Sequence, residues 1–86
     1  MTRVAIPSAY VDLPDDCQLY TLAFTDSCDE VCSLMHFSTE DELIDYCNMH
    51  NVDIITAECD YDCEAFEYET GEPVLYDNHI YYASAI

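Results

Sequence analysis

Apolar and polar positions alternate without interruption from Ile55 to Ala65: Ile55, Ala57, Cys59, Tyr61, Cys63 and Ala65 share one parity, and Thr56, Glu58, Asp60, Asp62 and Glu64 the other. Strand side chains repeat every two residues, so the pattern predicts one long strand with an apolar face and an acidic face. Successive carboxylates on the acidic face would stand about 6.6 Å apart. After Ala65 the parity reverses, with Phe66 and Tyr68 apolar and Glu67 and Glu69 acidic. That reversal predicts a bulge or sharp bend between Ala65 and Phe66.

The same reading extends to the rest of the chain. Tyr20, Leu22 and Phe24 alternate within residues 17–24 and predict a strand. A turn follows at TDSCD. Residues 30–37 carry apolar side chains on both parities and predict a second strand buried on both faces, so that the two form a hairpin. Thr39 and Glu42 have the spacing of a capping box, acids fill the next turn, and Asn51 offers a stop, which predicts a helix from Glu40 to His50. The stretch ETGEP predicts a turn, and Asp77 with Asn78 predicts a two-residue hairpin loop between VLY and HIYYASAI. The expected fold is α+β, an antiparallel sheet of four to five strands with one helix packed on it, in the order β-β-α-β-β-β. Residues 1–16 are expected to be irregular, and residues 1–86 to form a single domain with one core. That core would draw on Leu22, Phe24, Met35, Phe37, Leu43, Ile44, Ile55 and Tyr61, with Cys47, Cys59 and Cys63 as buried thiols.

Charge changes this picture from a generic small domain to an unusual one. Among 86 residues, 19 are Asp or Glu, Arg3 is the single basic residue, and the formal net charge is −18. A hydrophobic fraction of 51% separates the chain from acidic disordered tails, which lack the apolar side chains to build a core. Self-repulsion on this scale destabilises a compact state and points to a strongly basic partner. Nucleic acid and anionic membranes are excluded as direct ligands, because binding either requires clustered Lys and Arg. With no apolar run suited to a signal peptide or a membrane span, a cytoplasmic location is expected, where the six cysteines stay reduced.

Candidate chemistry is thin. The spacings CDEVC (28–32) and CDYDC (59–63) invite zinc, but i and i+4 sulfurs on one strand lie about 13 Å apart. His36, His50 and His79 form no HxxxH or HExxH pattern, and an acidic setting disfavours a Cys–His nucleophilic pair. DSCDE and DYDCE lack the DxDxDG loop of a calcium site. No catalytic residue, metal or cofactor is expected.

In size and charge the chain resembles the small acidic proteins with which phages and mobile elements block host defence, the DNA mimics of anti-CRISPR and anti-restriction systems. The resemblance implies a non-catalytic inhibitor that sits in the basic nucleic-acid channel of a CRISPR effector, restriction enzyme or repair enzyme. Duplex DNA carries one charge per about 1.7 Å of axis, so 19 carboxylates match about 32 Å of it. The expected partner-binding residues are Glu58, Asp60, Asp62, Glu64, Glu67 and Glu69, with the helix acids Glu40, Asp41, Glu42 and Asp45 as a secondary surface. An acidic adaptor docking on a basic patch of a host enzyme or polymerase is the alternative, a small Cys-rich metal-binding protein the third reading, and a homodimer the candidate assembly.

Overall fold

The structure is a computed structural model that describes residues 2–6 and 9–85. Its helix forms where the local signals place it: α1 spans Glu40–His50, the Thr39 hydroxyl accepts the Glu42 N–H, and Asn51 closes the helix in the left-handed region at φ 54°. Glu40, Asp41 and Glu42 occupy the first turn, where the positive end of the helix dipole favours them.

Along the chain, the strands before and after the helix are β1 (Thr2–Ile6), β2 (Ala9–Leu13), β3 (Gln18–Thr25), β4 (Val31–Phe37), β5 (Ile54–Glu67) and β6 (Pro73–Ser84). They make one six-stranded sheet in the order β2-β1-β5-β6-β3-β4. The β3–β4 hairpin matches the sequence, its turn held by Asp26 Oδ1, which accepts the N–H groups of Cys28 and Glu30. The fold class is α+β as expected, but the sheet is mixed and not wholly antiparallel, because β3 and β6 pair in parallel within it.

Three further expectations are corrected. Within the segment 1–16 expected to be irregular, residues 2–6 and 9–13 are strands: β1 and β2 pair from Thr2↔Leu13 to Ile6↔Ala9, putting Val4 and Leu13 in the core. No hairpin loop forms at Asp77 and Asn78, which lie inside continuous β6. Their side chains are taken up by β3 instead, Asp77 Oδ2 accepting from Gln18 Nε2 at 3.1 Å and Asn78 Oδ1 from Thr21 Oγ1 at 2.8 Å. The strand buried on both faces is β3; β4 is an edge strand with Val31, Cys32, Ser33 and Leu34 exposed.

The sheet divides the hydrophobic interior in two. Leu22, Leu43, Cys47 and Ala83 are buried beneath α1, with Tyr20, Phe24, Met35, Phe37, Ile44 and Ile54 packed around them. Val4, Leu13, Leu19, Ala65 and Tyr76 form a second cluster on the opposite face. On that face the sheet curls toward a barrel, and its two edges approach where Ser38 Oγ donates to the Asp12 carbonyl at 3.3 Å.

Candidate partner-binding surface

The predicted acidic row depends on the regularity of β5, and β5 is irregular. Its register against β6 shifts between Ile54 and Thr56 and again between Asp60 and Cys63. At the second shift Asp60 faces Asn78 and Cys63 faces Tyr76, so two residues of β5, Tyr61 and Asp62, oppose one of β6, Asp77. One extra residue reverses parity. Asp62 lies within it at φ 59°, a left-handed conformation that Asp adopts more readily than most residues.

The parity break therefore falls at Asp60–Cys63, not after Ala65, where the ladder continues unbroken to Phe66↔Pro73. Directly opposed residues share a face. Before the break, Ala57 and Cys59 lie on the helix side with Tyr81 and His79, and Glu58 and Asp60 on the concave side with Ile80 and Asn78. Beyond it, Cys63 and Ala65 turn to the concave side with Tyr76 and Val74, and Glu64 passes to the helix side with Leu75. Glu58, Asp60, Asp62 and Glu64 are all exposed, yet they do not form one ruled row. Ile55 and Tyr61, expected in the core, are 65% and 67% exposed, and Cys59 is exposed rather than buried.

The remaining predicted residues lie at other stations. Glu67 ends β5 and accepts from the Thr70 hydroxyl, while Glu69 is exposed in the turn that leads to Gly71 at φ 71°. Glu40, Asp41, Glu42 and Asp45 are exposed on α1. Glu40 accepts from the Tyr81 hydroxyl at 3.1 Å and Glu58 from the Tyr82 hydroxyl at 2.7 Å. Burial foremost, then the bond to Glu40, pushes the Tyr81 hydroxyl up to about 12. For Tyr82 the bond to Glu58 is the leading cause of its rise, followed by burial.

Asp60 also borders an open cleft of about 390 Å³ with Thr21, His36, Asn78 and Tyr82. Burial lowers the His36 imidazole, favouring its neutral form, so the cleft does not supply a compensating cation above mildly acidic pH. The one side chain of fixed positive charge, Arg3, lies between two tyrosine rings, 5.5 Å from the Tyr10 centroid and 5.1 Å from that of Tyr68. Those rings meet edge to face at 5.2 Å. The guanidinium is thereby held on aromatic faces.

Among the described residues no three His, Cys, Asp or Glu side chains converge into a group that could hold a metal ion. The register shift puts Cys59 and Cys63 on opposite sides of the sheet. Sequence reasoning missed one arrangement: Cys59 stands directly across from His79, with 3.1 Å between Sγ and Nδ1. Only the β5–β6 register could have revealed it.

No family model, curated protein or solved structure matches this chain. Among the described residues, no helix is long and apolar enough to cross a membrane.

Proposed function

We propose that the protein is a non-catalytic inhibitor that occupies the basic nucleic-acid-binding channel of a host defence protein, such as a CRISPR effector, a restriction enzyme or a repair enzyme. The observation that carries this reading is charge density. Eighteen net negative charges over a longest extent of 39 Å make one per about 2.2 Å, close to the one per about 1.7 Å of a DNA duplex. The break at Asp62 favours a channel over a flat patch. It sends Glu58 and Asp60 to one side of the sheet and Glu64 to the other, while the helix acids and the Glu67–Glu69 turn add charge elsewhere. A body charged on several sides suits a cavity lined with Lys and Arg, whereas an adaptor on a flat basic patch would use one face.

Competition and charge reversal test this. Pull-down of the tagged protein from lysate should recover a basic nucleic-acid-binding protein, and more of it after nuclease treatment. Glu58→Lys with Asp60→Lys, and separately Asp62→Lys with Glu64→Lys, should each weaken binding by about tenfold or more and flatten its salt dependence. Simultaneous binding of the target to this protein and to nucleic acid would exclude mimicry. Weakening by only one of the two pairs would instead support the single-face adaptor.

A further inference from the structure

Four side chains from three adjacent strands form a directional hydrogen-bond chain on the helix side of the sheet. Gln18 Nε2 donates to Asp77 Oδ2 at 3.1 Å, and Gln18 Oε1 lies 2.5 Å from His79 Nε2. His79 Nδ1 lies 3.1 Å from Cys59 Sγ. An ionised carboxylate can only accept, so Asp77 fixes the Gln18 amide with its NH₂ outward and its oxygen toward the imidazole. That oxygen also only accepts, so it selects the His79 tautomer protonated at Nε2. Nδ1 is then left as the acceptor, facing the Cys59 S–H. Tyr20 stacks on the His79 ring, with centroids 4.8 Å apart and planes inclined by 14°, and fixes its orientation from the β3 side.

A thiol hydrogen-bonded to a base that is itself oriented by a third group is the arrangement that activates nucleophilic cysteines. We infer that Cys59 is a reactive thiol with His79 as its general base, and that it exchanges with small disulfides to carry a mixed disulfide. In that exchange the Cys59 proton moves to His79 Nδ1, and Sγ attacks one sulfur of the disulfide. A new S–S bond forms as the old one breaks. The departing thiolate then takes the proton from Nδ1 and leaves as a free thiol, so Cys59 is oxidised as the other half of the disulfide is reduced.

The surroundings favour Cys59 over the other cysteines and select the reagent. Cys59 is exposed, whereas Cys47 is buried and its thiol is pushed up by desolvation. Cys63 is half-buried and raised first by burial, with its Sγ donating to the Asp60 carbonyl. Cys28 and Cys32 are exposed, and Cys32 donates to the Phe24 carbonyl. Tyr61 beside it is held above the usual tyrosine range, foremost by its hydrogen bond with Cys59. The groups that face the pair are Asp77 from β6, Tyr61 from β5, Tyr20 from β3 and, through Tyr81, Glu40 from α1. With a net charge of −18 behind them, cationic disulfides should be favoured over anionic ones.

The test is site-resolved mass spectrometry of the native protein exposed to cystamine, a dicationic disulfide, and to the neutral hydroxyethyl disulfide. Cys59 should react with both about tenfold or more faster than Cys28, and faster with cystamine than with the neutral reagent. Its advantage over Cys28 should widen from about pH 9 to about pH 7, where an unassisted thiol loses its thiolate. His79→Gln should remove that advantage and leave the Cys28 rate unchanged. Gln18→Leu should reduce the advantage and alter its pH profile, as expected for a positioning residue. If His79→Gln disturbs the fold, buried Cys47 will become reactive too, and the Cys59-to-Cys28 ratio in the unmodified protein then decides. A Cys59 rate no greater than that of Cys28 in the native protein, or one indifferent to His79→Gln in a folded variant, overturns the inference.

Discussion

At the scale of single residues, burial departs from the sequence pattern at Ile55 and Tyr61. Leu22 and Leu43 are completely buried against one another's cluster, while Ile55 is 65% exposed. Leu22→Ala or Leu43→Ala should therefore cost about 2–5 kcal/mol in urea unfolding, and Ile55→Ala about 0.5 kcal/mol or less. Tyrosines supply a second residue-scale test. Tyr81 is pushed up to about 12, and Tyr20, Tyr61, Tyr76 and Tyr82 move in the same direction. In the folded state these groups keep protons that the unfolded chain releases near pH 10. Their contribution to stability is therefore complete below about pH 10 and is lost as pH rises from there toward 12. An ultraviolet titration should show the latest tyrosinate component disappear in Tyr81→Phe.

At the scale of elements, the helix and the span of the longest strand were legible, but the place where that strand breaks was not, and the difference is one of locality. Every signal for α1 lies within the segment itself: the Thr39 cap, three acids in the first turn, and Asn51 at the end. Thr39→Ala should cost about 1 kcal/mol. The alternation of 55–65 is equally local, but where β5 breaks is set by its partner β6, and no pattern in β5 alone marks Asp62 as the extra residue. Asp77 and Asn78 misled in the other direction. Their strong turn preference is overridden because Gln18 and Thr21 on β3 hydrogen-bond their side chains within the ladder. The alternating pairs Val4 and Ile6, then Val11 and Leu13, were a readable signal for β1 and β2 that short length obscured. The break itself can be tested. At φ 59°, Asp62→Gly should be neutral or stabilising by some tenths of a kcal/mol, and Asp62→Val should cost about 1–2 kcal/mol. A regular strand would give the opposite order, because β-branched residues favour it and glycine weakens it.

At the scale of the whole molecule, electrostatics and connectivity dominate. The net charge of −18 opposes compaction, so the melting temperature should climb by several degrees between low and molar salt. A flat response to salt would mean that the carboxylates are spaced too widely for their repulsion to matter. Acidity was legible from composition at once, but its distribution over both sides of the sheet was not, since that follows from one inserted residue. In the strand ladder the two halves of the sheet, β2-β1-β5 and β3-β4, are joined through β6, which lies between β5 and parallel β3. The Gln18–Asp77 contact that opens the β3–β6 ladder closes a separation of 59 residues. A ribosome synthesising this protein would thus emit two incomplete fragments, each with an unpaired inner edge. Because translation proceeds at roughly 5–20 residues per second, those edges stay uncovered for seconds before the joining strand arrives. The sheet is thereby completed only once β6 has been made, and the repulsion that burdens the finished molecule would keep its unfinished neighbours on a polysome from pairing with one another.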